Sequence, residues 1–132
     1  MATITKFEDL EIWQLARVQT NDFDVLVETT PLGKNYELRN QMDASSGSAM
    51  DNIAEGFDRS GNSEFKNFLI IAKGSNAEFR SQLYRCLDRK HFSKEKFDEL
   101  HAKNIMIGNK LMSFITYLQN SSFKGQRYKS KE

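Results

Sequence analysis

Lys66, Lys73 and Arg80 recur at seven-residue spacing, which on a helix sets three cations along one face. Cations in such a row neutralise phosphates and release their counterions. The chemistry is backbone attraction to a nucleic acid without base reading, weakened steeply by salt. Arg85, Arg89 and Lys90 continue the row loosely. The C-terminal Lys124, Arg127, Lys129 and Lys131, interleaved with Phe123 and Tyr128, offer a second basic stretch with rings on which bases could stack. The competing reading of the row is a solvated bundle face with paired charges, and that of the tail is a plain solubilising end.

A second constellation is polar. Asn52 and Glu55 stand three apart on one helix, as do Ser75 and Glu78 on the next, so each pair shares a face. With Gln41 they form an expected polar layer that caps helices and fixes the register of a helical hairpin. A subunit contact is its further possible role.

Catalytic chemistry finds little to work with. Di-metal carboxylate bundles use Glu-x-x-His on two helices, whereas here Glu55 is followed three residues later by Asp58 and Glu78 by Ser81. His91 and His101 match no ligand spacing, so no metal is expected. Cys86 falls on an apolar helical seam with no base beside it, the setting of an inert thiol. Neither a phosphate-cradling glycine loop nor a nucleophile elbow is present. The expectation is a protein without enzymatic activity or cofactor.

The elements that position these residues are long helices. The chain has 132 residues, one proline and seven glycines, with 39% hydrophobic and 28% charged content and a net charge of +1; few points break secondary structure, and no global basic field exists. No window approaches the roughly 18 apolar residues of a membrane span. A single cysteine and the lack of a charged leader before an apolar stretch point to the cytoplasm.

Apolar spacing predicts four helices, over about Phe7–Glu28, Asn35–Gly56, Ser63–Lys90 and Lys94–Asn120. Thr30-Pro31-Leu32-Gly33 ends the first, since the residue before proline is driven out of helical geometry. Gly56 is the expected left-handed stop of the second. Ser60, Asn62 or Ser63 is the expected cap of the third and Ser93 that of the fourth. Phe65, Ala72, Phe79 and Cys86 at seven-residue intervals, flanked by Phe68, Leu69, Asn76 and Leu83, read as a bundle seam. A helix of that length spans roughly 40 Å, which an antiparallel up-down four-helix bundle accommodates. Residues 1–120 form this all-α unit, and 121–132 a basic, flexible tail.

Folding the second and third helices about a turn near residue 60 sets Gly74-Ser75 opposite Ser45-Ser46 and Glu78 opposite Gln41 or Met42. Gly47, Gly74 and Gly108 then stand at one height. An interior helical glycine costs about 1 kcal/mol against alanine, so these three predict a waist of close helix packing that Gly74→Leu should disrupt.

Phe7-x-x-Leu10-x-x-Trp13-x-x-Ala16, Tyr36-Glu37-Leu38-x-x-Gln41, Asn52-Ile53-Ala54-Glu55-Gly56 with Arg59, and Phe68-Leu69-x-x-Ala72-x-Gly74-Ser75-x-x-Glu78 with Gln82-Leu83 together carry a family likeness. From about Phe7 to Leu118 the chain resembles the bacterial 23S rRNA intervening-sequence, or S23, proteins, relatives of the accessory variability proteins of diversity-generating retroelements. The resemblance implies an up-down bundle that assembles as a ring-like homopentamer without enzymatic activity. It also implies association with RNA, or with a protein that processes nucleic acid. Met42-Asp43-Ala44 and Asp51 depart from the family's basic pattern on the second helix, which counts against RNA contact on that face. Two functions follow as expectations: a nucleic-acid-associated ring using the Lys66/Lys73/Arg80 row, or a protein–protein scaffold without nucleic acid.

Overall fold

Polar side chains placed just ahead of apolar runs decide where the helices begin. The Leu32 amide donates to Thr30 Oγ1 at 3.2 Å, the Leu38 amide to Asn35 Oδ1 at 3.3 Å and the Lys96 amide to Ser93 Oγ at 3.1 Å; each bond satisfies an amide that a helix start leaves free. This computed structural model describes residues 3–59 and 61–121. Their helices are α1 (Glu11–Thr29), α2 (Tyr36–Asp58), α3 (Asn62–Asp88) and α4 (Lys94–Gln119), with short 3₁₀ turns at Phe7–Asp9 and Pro31–Lys34. The expected caps Asn62 and Ser63 instead lie within α3. Gly61, with φ of +92°, precedes that helix and supplies the left-handed turn without a side-chain cap. Ser60 and the tail residues Lys124, Arg127 and Lys129 lie outside the described residues.

Cross-helix pairs define the topology. Ser48 meets Ser75 and Gln41 meets Arg85; Asn76 meets Asn104 and Tyr84 meets His101; Glu11 meets Lys110 and Asp22 meets Lys103. In every set one number rises as the other falls, so α2 and α3, α3 and α4, and α4 and α1 run antiparallel. The result is an all-α up-down four-helix bundle, with α3 packed along both α2 and α4.

The predicted seam is real: Phe65, Ala72, Phe79 and Cys86 are all buried. They divide between two apolar clusters. Phe57, Phe65 and Phe114 interlock edge-to-face near the α2–α3 turn, and Phe23 and Phe79 do so toward the other end. Each fully buried ring or aliphatic side chain contributes about 1.5–3 kcal/mol by leaving water. Cys86 Sγ lies 3.6 Å from Met42 Sδ. Burial pushes its thiol up to about 12, against the opposing pull of Arg85 and Arg89.

That shift carries a sign. The fold favours the neutral thiol, so its contribution is complete below the ordinary value of 9.0 and falls away as pH rises toward about 12. Between those values wild type should lose unfolding free energy more steeply with pH than Cys86→Ala, as measured by denaturant titration. Equal slopes, or rapid thiol labelling of the native protein, would contradict an occluded cysteine.

Two expectations about the hairpin need correction. Ser75 pairs with Ser48, Ser45 with Gln82, and Gln41 with Arg85, a register displaced one to two turns from that set by the loop alone. Helical side chains lean toward their own N-terminus, and in an antiparallel pair the two leans add. The glycine waist is likewise absent within the chain. A Cβ built at Gly47 or Gly74 meets nothing within 4 Å, and one at Gly108 meets only Asn76 Nδ2 at 3.5 Å and Arg80 Nη1 at 4.0 Å, an ordinary contact. The close approach is at Gly56, which does not stop α2. It is buried inside the helix, and a Cβ there would fall 2.5 Å from Phe68 Cβ and 3.0 Å from the Phe65 ring.

Candidate nucleic-acid interface

Alternating steps of four and three residues put Lys66, Ile70, Lys73, Ala77, Arg80 and Tyr84 on one face of α3. His101, Ile105, Gly108 and Met112 bring α4 to the same side. Between them lies a groove of about 320 Å³ lined in part by Lys73, Ala77, Arg80, Ile105, Gly108 and Met112. Gly108 has no side chain to reach across it, which leaves Arg80 open to the groove.

No carboxylate lines this groove. From Leu100 to its end α4 carries no acidic residue, and its two lysines there are turned to α1, where Lys103 pairs with Asp22 at 3.1 Å and Lys110 with Glu11 at 2.7 Å. Among the described residues neither Lys66, Lys73 nor Arg80 forms an ion pair. The net charge of +1 therefore hides a segregation: acids outnumber bases in the first half of the chain and bases outnumber acids in the second, a pattern associated with nucleic-acid contact. The opposite flank of α3 presents exposed Glu78, and α2 carries exposed Asp51 and Glu55, while Asp43 lines a hollow with Phe23, Asp24 and Val27 of α1.

Arg80 is held from behind. Its Nη1 donates to Asn104 Oδ1 at 3.2 Å. Asn104 Nδ2 in turn donates to Gln19 Oε1 at 2.8 Å and to the Asn76 carbonyl at 3.0 Å. Gln19 Nε2 donates to Asn76 Oδ1 at 3.1 Å, and Asn76 Nδ2 to the Asn104 carbonyl at 3.1 Å. Three buried amides thus satisfy one another between the two apolar clusters and fix a cation at the groove without neutralising it.

The structure places the other expected residues apart. Arg85, expected to prolong the cationic row, points to α2 and donates to Gln41 Oε1 at 2.8 Å. The expected layer of Gln41, Asn52, Glu55, Ser75 and Glu78 is dispersed. Asn52 Nδ2 donates to the Ser48 carbonyl and hydroxyl, and that hydroxyl meets Ser75 Oγ at 2.8 Å. Glu55 pairs instead with Arg59 at 2.9 Å, and Glu78 is exposed. The amide layer that does exist had a legible signal: Asn76 and Asn104 sit on seam positions otherwise occupied by apolar residues. Gln19 gave no such sign.

At the end of the groove beyond Arg80, the Tyr84 ring lies 4.8 Å from the Phe97 ring and its hydroxyl 3.4 Å from His101 Nε2. His91 is elsewhere, its Nε2 at 3.0 Å from Asn35 Nδ2. Among the described residues, no three His, Cys, Asp or Glu side chains are grouped to hold a metal ion, and no helix is long and apolar enough to cross a membrane.

Comparison with known proteins agrees with the architecture. A solved protein of unknown function from the S23 ribosomal protein family of Bacteroides thetaiotaomicron VPI-5482 superposes with a TM-score of 0.72 over 80% of this chain and 95% of its own, at 18% identity, a likeness of fold. No curated protein matches. The family described as 23S rRNA-intervening sequence protein matches residues 8–113. Those residues run from the first 3₁₀ turn into the last third of α4 and include both walls of the groove, and the chain belongs to that family.

Proposed function

We propose that this protein is a non-enzymatic, ring-forming homo-oligomer, a pentamer, that associates with RNA through the α3–α4 groove in the cytoplasm. One observation carries the reading: Lys73 and Arg80 line a groove that contains no carboxylate and faces away from the acidic flank. Unpaired cations held in a row attract phosphate without reading bases, and ring symmetry repeats the row. The family's name, taken from insertions in 23S rRNA, supports the same ligand class.

Light scattering coupled to size-exclusion chromatography, followed by RNA titration of the same sample at low and moderate salt, tests both parts. The expected result is a pentamer whose RNA affinity falls with salt. Three phosphates engaged per protomer give a log–log slope of roughly −2 for a single strand, and Lys73→Gln should reduce its magnitude by about 0.7. A monomer would contradict the ring, and salt-insensitive or absent binding would contradict the groove.

The second reading is a protein–protein scaffold. It is supported by the open backbone at Gly74, one turn from Ile71, which is 52% exposed, on the flank of α3 that carries Glu78. Co-purification of one protein partner in high salt, with no RNA retained, would favour it.

A further inference from the structure

We infer that the α3–α4 groove takes RNA as a single strand, with phosphates along Lys66, Lys73 and Arg80 and an unstacked base on the Tyr84–His101 pair. The inference rests on the RNA reading above and narrows its ligand. A duplex offers its exterior as phosphate and sugar, which suits cations alone. This face is not cationic alone. Ile70, Ile105, Met112 and Tyr84 alternate with the cations and are 37–49% exposed, so an occupant gains most if it presents apolar surface and charge in alternation. A strand with its bases splayed out does so, and a paired duplex does not.

Groove dimensions agree. The space between α3 and α4 is one open furrow of about 320 Å³, a size that suits a strand lying along it. Tyr84 lies one helical turn beyond Arg80, about 5–6 Å along the axis. Its ring is braced by Phe97 and joined to α4 through His101, which pre-orders the aromatic surface before a base arrives. Asn104 does the same for the neighbouring cation by holding Arg80 at 3.2 Å. An ordered cation one turn from an ordered ring matches the phosphate and base of one nucleotide.

Fluorescence anisotropy of the full chain with a labelled oligouridylate, the same strand paired with oligoadenylate, and a labelled polyglutamate peptide tests this. The expected order is single strand tightest. Tyr84→Ala should weaken the single strand about tenfold by loss of base stacking while leaving duplex binding unchanged, and Arg80→Gln should weaken both. Tyr84→Leu, which keeps an apolar side chain against Phe97, should reproduce the loss if the protein remains folded by circular dichroism. A duplex bound as tightly as the strand, or a strand affinity unmoved in both Tyr84 variants, would overturn the single-strand inference while the RNA reading stood. Polyglutamate bound as tightly as either RNA would replace RNA by an acidic peptide. Failure to bind any of the three would remove the RNA reading itself.

Discussion

Asn104→Ala should cost about 3 kcal/mol or more of unfolding free energy. The reason is what it leaves behind. Asn104 is fully buried and gives its amide hydrogens to Gln19 Oε1 and the Asn76 carbonyl. Alanine strips partners from two buried groups, each costing about 1–3 kcal/mol when unsatisfied, and opens a cavity besides. Against a total stability of about 5–15 kcal/mol, the loss should be visible as a drop in Tm of roughly 10 °C. Replacing Gln19, Asn76 and Asn104 together by leucine removes the three buried amides at once and leaves only the part-exposed Arg80 without its partner, so much of the stability should return. The triple variant should nonetheless bind RNA more weakly than wild type, because Arg80 loses the carbonyl oxygen that holds it. An Asn104→Ala protein with unchanged thermal unfolding would mean that the amide layer is not closed as described.

Gly56→Ala should be destabilising by about 1–3 kcal/mol, whereas Gly74→Ala should stabilise the protomer by up to about 1 kcal/mol. Both glycines are interior to helices, so propensity alone favours alanine at each. Space decides the sign. At position 56 the new Cβ falls 2.5 Å from Phe68 Cβ, an atom next to the backbone of α3 that only a shift of the whole helix can move, and overpacking of that kind outweighs the propensity gain. At position 74 nothing stands within 4 Å. Thermal unfolding of both variants, with light scattering to follow assembly, measures the contrast. A neutral Gly56→Ala would contradict the tight α2–α3 contact. A Gly74→Ala protein that loses stability with its assembly state unchanged would contradict the open face, while one that dissociates would place a neighbouring copy's backbone against it.

These two glycines also mark how far the sequence reaches. The helices were legible because Thr30-Pro31 and Ser93 punctuate them chemically and because Phe65, Ala72, Phe79 and Cys86 hold a seven-residue period. Which glycine is crowded was not, because a period gives the face of a helix but not the height at which its neighbour crosses. The same gap misplaced the hairpin register: loop position predicts opposed backbones, while side chains lean toward helix N-termini and meet their partners further along. The cationic row was legible from spacing. What spacing did not give was the partnership of each charge. Arg85 is drawn to Gln41 on α2, and Lys103 and Lys110 are taken by α1, so only side-chain geometry distinguishes the cations left free. Tyr84 was silent in sequence for a related reason. Its value lies in facing His101 and Phe97, residues on α4 that no local pattern links to it.

The placement of RNA in the α3–α4 groove is tested most directly by photocrosslinking native protein to thiouridine-substituted single-stranded RNA and mapping the modified peptides by mass spectrometry. The groove predicts crosslinks within residues 66–84 of α3 and 101–112 of α4, with Tyr84 prominent, and their loss in Lys73→Gln/Arg80→Gln. Crosslinks confined to α1 or to the acidic face of α2, or none at concentrations where binding is saturated, would contradict it.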